Sequence, residues 1–542
     1  MKSKIKKTLP SVILAFLFSF WFTIGLSNIN SKLPALHLGH LNSVTWLILL
    51  ALTLIFFLII MLLNEGFDAL HSRIKPRLLS KKQARVLFAI LFVILLRYYV
   101  FLFVYNGPGS VATDTYDSIR QYIGIIPFRN DNPFLTTLLY GFLHSIGQKI
   151  IGGRNGGIYL NLFFQAIVMS WAYVRAAFFM YEKTGSLKLL LITWACYLIL
   201  PVFGCQAQIW LKDSLHSGIF TLFFIEYVRM FDHEVKPKTV IRFCLLTLLA
   251  AMTRKATFYI MIICILALGI WHFTKIRKKF EKAHPAYWTL IISTLIAFFL
   301  YDNVLLTACG VKPGLSGENY VIPFRQTVLV VKEHEDELSA EDLAIIDTVM
   351  DHKKFDEYYS TENIDAIKRL ANQASDQELA ELLKLDLKLF FRYPLTSLQA
   401  ITECSWRYFY PLTNDKSWAR IYITEEDTYG WFVENPTAKS RIYEYFTIFW
   451  EKTPGLTMFT DPGLYMWLLF FILARSVRCR NKKALTVIIP LVLFALGLTA
   501  TPINGDLRYA FPIICALPPA IAAFHNQNLS ISNLPADAER LL

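Results

Sequence analysis

The feature that most limits this chain is the recurrence of apolar blocks of 16 to 24 residues that carry few charges. A helix rises about 1.5 Å per residue, so about 20 such residues cross a hydrocarbon core of about 30 Å. In water these blocks could not all be hidden. In a bilayer each helix satisfies its own backbone, and its side chains meet lipid. Twelve spans are expected, at about 9–28, 44–63, 86–105, 157–180, 187–205, 210–229, 239–252, 256–274, 286–307, 462–476, 484–500 and 508–525. Only 18% of the residues are charged and the mean hydropathy is +0.42, which excludes a soluble domain. The expected fold class is an all-α polytopic membrane protein.

The net charge of +13 would point to nucleic acid in a soluble chain. Here the basic residues sit in short loops between apolar blocks, so no nucleic-acid partner is expected. Lys2, Lys4, Lys6 and Lys7 fall on one side of the membrane. The same side takes Arg73, Lys75, Arg77, Lys81, Lys82 and Arg85, then Lys183 and Lys188, then Lys236 and Lys238. It also takes Lys275, Arg277, Lys278, Lys279 and Lys282, and finally Arg478, Arg480, Lys482 and Lys483. The positive-inside rule makes that side the cytoplasm and puts both termini there. This assignment requires that 133–151, although apolar, does not cross. It is expected to be a re-entrant or interfacial helix. The first apolar run follows lysines as a signal peptide would, but no small-residue cleavage site follows it, so it reads as an uncleaved first span.

Four regions result. Residues 1–85 hold two spans and a cytoplasmic loop. Residues 86–307 form a transmembrane module with a first outer loop at 106–156. Residues 308–461 form an acidic, mainly helical outer domain, and 462–542 hold three spans and a short tail. Within the outer domain, Ser375…Glu378 and Ser339…Asp342 have the spacing of helix starts. Residues 394–410 have the amphipathic, aromatic character of a helix lying on a membrane. Of eight cysteines none forms a C-x-x-C pair, and no carboxylate–histidine cluster marks a metal site. The cofactor is therefore unassigned, with a divalent metal left open. Cys309 and Cys404 share the outer domain, either as a disulfide or as two free thiols.

Polar residues at span ends carry the functional signal. The first outer loop contains Asp114, Asp117, Arg120 and Gln121. Asp114 and Asp117 share a helix face, either as chemistry or as ordinary helix-start carboxylates. Lys212-Asp213, Arg254-Lys255 and Arg508 stand at the outer ends of spans, where basic residues run against the charge rule. Each alone is an interfacial anchor. Together, beside a carboxylate loop, they favour an anionic ligand such as a lipid phosphate. Arg97, inside the third span, is expected to face a cavity or a partner.

These motifs, in this order, resemble an uncharacterised family of bacterial polytopic membrane proteins similar to the GT-C glycosyltransferase superfamily, which includes protein O-mannosyltransferases and lipid A aminoarabinose transferases. Pro108-Gly109 leads to Asp114-Thr115 at the family spacing. Gln121 follows, and Asn130-Asp131-Asn132-Pro133 stands where N-H-H-P is usual, so both histidines are replaced. Lys212-Asp213, Arg254-Lys255 and Arg508-Tyr509 resemble its K-D, R-K and R-Y landmarks. Pro323-Phe-Arg-Gln326 resembles P-x-Q-Q with Arg325 in place of the first glutamine. Tyr359 with Asp365-Ala-Ile-Lys368, then Arg392-Tyr-Pro394 and Tyr410-Pro411, complete the series.

The resemblance implies a GT-C-like fold and an inverting transfer of sugar from a polyprenyl-phosphate donor to a cell-envelope acceptor. The expected place is the outer face of the bacterial cytoplasmic membrane, with membrane lipids as further partners. Asp114 would be the base and Asp117 its helper. Gln121, Asp131, Asn132, Lys212, Asp213, Arg254, Lys255, Gln326 and Arg508 would bind substrate. The rival expectation is a transporter or flippase of lipid-linked or anionic envelope precursors, marked by charges and broken helices at mid-bilayer.

Overall fold

The computed structural model describes residues 2–29, 38, 42–72, 76, 79–232, 235–276, 285–314, 316–413, 449–450, 453 and 455–524. The loop cations Arg73, Lys75, Arg77, Arg277, Lys278, Lys279 and Lys282 lie outside the described residues.

Within the described residues, each of the twelve expected segments overlaps a helix. The N-terminal half comprises α1 (Lys2–Ile29), α2 (Ser43–Ser72), α3 (Lys81–Asn106), α4 (Thr113–Tyr122), α5 (Phe134–Ile150), α6 (Gly156–Thr184), α7 (Leu187–Ile199) and α8 (Pro201–Ala207). After these come α9 (Lys212–Arg229), α10 (Pro237–Thr253), α11 (Ala256–Ile276) and α12 (Pro285–Leu300). Among the described residues, six helices are long and apolar enough to cross a membrane: Thr8–Ile29, Ser43–Ala69, Lys81–Tyr105, Gly156–Thr184, Pro285–Ala308 and Lys482–Ala500. A seventh crossing arises if α7 and α8 count as one span. They are bent by 57° because Leu200 precedes Pro201, and a residue before proline is pushed out of the helical region. The expected continuous span 187–205 is therefore broken. The helix α9 misses the criterion through its own chemistry, with Lys212, Asp213, Glu226 and Arg229 among 18 residues.

The core of the bundle is α6, of whose most apolar stretch 72% is buried, against 17% for α2 and for the Pro285–Ala308 helix. It packs against α3, α5, α7 and α9. The helix α5 covers the 133–151 segment and lies against α4 and α6. It is not among the helices that meet the spanning criterion. Arg97 sits on the exposed side of α3, not toward a cavity.

Residues 308–461 contain a second core of their own, formed by α13 (Val321–His334), α14 (Ala340–Val349), α15 (Phe355–Tyr358), α16 (Asp365–Leu370) and α17 (Asp376–Arg392), with α18 (Pro394–Glu403) packed against α13 and α17. Phe324, Val328, Ile346, Ile367, Leu382 and Leu389 meet there. Ser375 and Glu378 form the expected capping box. Ser339 caps α14 through the Asp342 amide, and the Asp342 carboxylate turns both back to Ser339 and to Lys388, the latter at 2.9 Å. The 394–410 stretch is less open than a surface helix would be. Leu395 and Leu398 are exposed, but Ser397, Gln399, Ala400, Trp406 and Tyr408 are buried. Cys309 and Cys404 are free thiols, the first exposed and the second buried beside the Tyr359 hydroxyl. The chain closes with α19 (Pro462–Arg478), α20 (Lys482–Gly497) and α21 (Leu507–Ala522).

Charged loops gather at two ends. At one end, Lys183 and Lys483 both hold Asp232, at 2.7 and 2.9 Å. Arg475 reaches Asp68 at 2.5 Å, and the Tyr181 hydroxyl accepts from the Leu79 amide. These are loops that the charge pattern assigns to a single side. At the other end, Asp114, Lys212, Asp213, Arg254, Lys255 and Arg508 come together.

Candidate anion-binding site where three helices begin

The site rests on one short pairing between distant segments. Strands β1 (Ser110–Val111) and β2 (Ile209–Trp210) run parallel, with Ser110 opposite Ile209 and Val111 opposite Trp210. Gly109 enters β1 at φ +100°, and a Cβ there would stand 2.5 Å from Leu162 and 2.8 Å from the Gln208 carbonyl. Only glycine brings the chain this close to both. The carbonyl side of β2 is held by Gln165 of α6, whose amide donates to Ile209 at 2.8 Å. The Thr115 hydroxyl donates to the Trp210 carbonyl at 2.6 Å and fixes α4 to β2. Each strand leads directly into a helix, α4 at Thr113 and α9 at Lys212. Their starts therefore lie side by side, and α21 begins next to them. Helix starts carry unsatisfied amides and a partial positive charge, which together favour an anion.

Asp114 lies in the first turn of α4, after the N-cap Ala112. Its Oδ2 is 3.2 Å from Lys212 Nζ and 3.3 Å from Arg508 Nη1. Lys212 Nζ also donates to Asn132 Oδ1 at 2.8 Å and to the Asp131 carbonyl at 3.3 Å. Arg508 directs its Nη2 to the Tyr509 hydroxyl at 2.7 Å, and its Nε stands 3.1 Å from Asp506. Five residues expected from the sequence thus share one network: Asp114, Asp131, Asn132, Lys212 and Arg508.

Two further pairs flank it. Asp213 is buried and holds Arg254 at 3.4 Å, while the Arg254 guanidinium lies over the rings of Tyr509 and Phe494. Lys255 reaches Asp302 at 2.8 Å, and Asp302 accepts from Asn130 at 3.0 Å. Asp302 belongs to a π-helical turn, Tyr301–Leu305, that continues α12. Gln121 supports the loop from behind by accepting from the Arg129 amide at 3.3 Å, and Arg129 pairs with Asp131 at 2.5 Å.

Two expected site residues lie elsewhere. Asp117 pairs with Arg120 at 3.1 Å on the same helix. Gln326 lies in the outer domain with its side-chain amide against the Asp386 carboxylate, to which its nitrogen can donate when the amide is turned to face it. Conversely, Asp302, Asp506 and Arg129 belong to the network without having been singled out, and Tyr509, read from the sequence only as half of a landmark pair, belongs to it as well. A signal was present for Asp302, a lone carboxylate at the end of an apolar block, and for Asp506, two residues before Arg508 in a helix-start position.

Every carboxylate of this cluster faces a lysine or arginine. Such a set holds a free divalent cation less readily than it accepts a competing anion, because an anion can take over the cations from their carboxylates. Among the described residues, the histidine–carboxylate group close enough to hold a metal is Asp347, Asp351 and His352, on the outer domain. Local contacts already engage it: Asp347 holds His352 at 2.6 Å, and Asp351 caps the turn at Lys353.

Among known proteins, the model of a family described as "Family of unknown function (DUF6020)" matches residues 126–533, more than half of the chain. The match starts after β1 and α4, so Asp114 lies before it, and takes in the remaining elements of the site. No curated protein and no solved structure matches the chain.

Proposed function

We propose that this chain, which belongs to the DUF6020 family, is a GT-C-like membrane glycosyltransferase. It transfers a sugar from a polyprenyl-phosphate donor to a hydroxyl of a cell-envelope acceptor. The observation that carries this reading is the position of Asp114 between Lys212 and Arg508. In the resting chain the carboxylate sits between two cations, where a departing phosphate would be stabilised. An arriving phosphate takes over Lys212 and Arg508. The released carboxylate, no longer held by two positive charges, becomes more basic. Asp114 then accepts the proton of the acceptor hydroxyl as its oxygen attacks the anomeric carbon. The bond from that carbon to the phosphate oxygen breaks, and the polyprenyl phosphate leaves with the bonding electrons. Configuration at the anomeric carbon inverts.

The same reading places the site at the outer face of the bacterial cytoplasmic membrane, with twelve crossings and both termini inside. Membrane lipids, the lipid-linked sugar and the acceptor are its partners. A second reading, a transporter or flippase of lipid-linked or anionic envelope precursors, draws on the 57° break between α7 and α8, since broken helices line many transport sites.

The test uses the purified full chain in nanodiscs with a polyprenyl-phosphate sugar and an acceptor glycan, read by mass spectrometry. Asp114→Asn should lower turnover by about two to four orders of magnitude, the usual range for a general base. Polyprenyl phosphate should bind it as tightly as the parent or more tightly, because a competitor for the two cations is gone. Asp117→Asn should be much milder. Undiminished transfer by Asp114→Asn would remove the catalytic assignment. Lipid translocation without covalent transfer would favour the second reading.

A further inference from the structure

The loop 499–506 joins α20 to α21 and ends two residues before Arg508. The outer domain grips it from several sides. Arg325 of α13 is fully buried, and its guanidinium donates to the Thr499 carbonyl at 3.0 Å and to the Pro502 carbonyl at 3.2 Å. Thr499 lies in the last helical turn after α20, where free carbonyls and the negative end of the helix favour a cation. The Ile364 amide donates to the same Pro502 carbonyl at 3.1 Å, and the Asn504 amide donates to Glu362 at 2.9 Å. The Asn504 side chain donates to the Glu403 carbonyl at 3.2 Å and accepts from the Arg407 amide at 3.2 Å. The Tyr408 hydroxyl donates to the Ile503 carbonyl at 2.9 Å. Gly505, at φ +74°, lies against Arg407, whose Cβ would be 2.4 Å from any Cβ added there. The next residue, Asp506, caps α21 through the Arg508 amide and pairs with the Arg508 side chain.

We propose that Arg325 is a positioning residue for Arg508: it anchors the loop 499–506 to the outer domain and so holds the Arg508 guanidinium against Asp114. Arginine suits this task because its planar fork presents two donors to two carbonyls in a fixed geometry, which a lysine's single flexible ammonium holds less rigidly. The inference deepens the proposed function and rests on it for its catalytic consequence, while its geometry stands without it. The outer domain is then part of the site's construction, although the residues it contributes touch the loop and not the Asp114 contact.

The experiment compares the full chain in nanodiscs with Arg325→Met, Arg325→Lys, Arg508→Gln and the Arg325→Met/Arg508→Gln double variant. Hydrogen exchange is read over 499–510 and, as a folding control, over 376–392. Carbodiimide labelling of Asp114 is read by mass spectrometry. In Arg325→Met, exchange over 499–510 should rise about tenfold or more, the change expected for one lost charge-assisted hydrogen bond, with 376–392 unchanged. Asp114 labelling should rise toward its rate in Arg508→Gln, and the double variant should add nothing further. Arg325→Lys should fall between parent and Arg325→Met. If Arg325→Met disturbs 376–392, Asn504→Ala, which loosens the same loop from its other side, takes its place with the same expectations. Unchanged Asp114 labelling with faster loop exchange, or additive effects in the double variant, overturns the proposal. Polyprenyl-phosphate binding is measured separately with Arg508→Gln: no change there would count against the proposed function and leave the positioning role intact.

Discussion

At neutral pH the outer domain should become more stable when Asp386 is replaced by asparagine. Asp386 is 4% exposed and lies on α17 against Thr327 of α13. Burial raises its pKa from the ordinary 3.8 to about 7, opposed by a hydrogen bond from Thr327. A raised folded-state pKa means that the fold prefers the protonated acid. The stabilisation is fully present below about pH 4 and is lost as the pH rises through about 7. The gap is roughly three pH units at about 1.4 kcal/mol each, so about 4 kcal/mol separates the domain's stability at the two ends. Turning its nitrogen toward Asp386, the Gln326 amide would stabilise the ionised carboxylate and pull the other way, which makes that figure a ceiling. Asp386→Asn keeps the volume and cannot ionise. Hydrogen exchange over 376–392 should be measured in the full chain from pH 4 to pH 8 for parent and variant. The ratio of their rates cancels the intrinsic pH dependence and every other titrating group. Parent exchange should accelerate relative to the variant as the pH passes from 4 to 7, then run parallel. A ratio independent of pH, or one moving in the opposite sense, would refute the reasoning.

Other expectations follow from the site. Arg254→Gln should lower thermal stability by about 3 kcal/mol, because it leaves buried Asp213 without its cation. Lys255→Gln should cost under about 1 kcal/mol, since the Lys255 side chain is 48% exposed. Differential scanning fluorimetry of the nanodisc-embedded chain separates the two, and equal losses would contradict the assignment. Cys309 and Cys479 are both exposed thiols. An impermeant maleimide on intact cells should label Cys309 and spare Cys479, and the reverse pattern would invert the proposed orientation.

Much of the fold was legible because the signals are local. Apolar blocks and Lys/Arg loops announce helices and sort their ends, and Ser375 with Glu378 announces the start of α17. Partners were not legible. The sequence presents Arg254 and Lys255 as two cations in search of an anion. The structure gives them Asp213 and Asp302, 41 and 47 residues away in the chain, and pairing over such distances leaves no local pattern. Gln326 was misplaced for the same reason: its spacing within a motif says nothing about which way α13 turns it. The break before Pro201 was written in the proline, yet hydropathy alone ran straight through it.

The contact between Asp114 and Arg508 joins residues 394 positions apart. A ribosome adding about 5–20 residues each second makes Asp114 roughly 20–80 s before Arg508 exists. Lys212 appears within the first quarter of that interval and gives the carboxylate an early companion. The third helix start can join only after the outer domain, including Arg325, has been synthesised. The charge cluster around Asp114 is therefore completed late in synthesis, and a chain stopped before residue 508 carries its carboxylate and its lysine without the arginine that completes them.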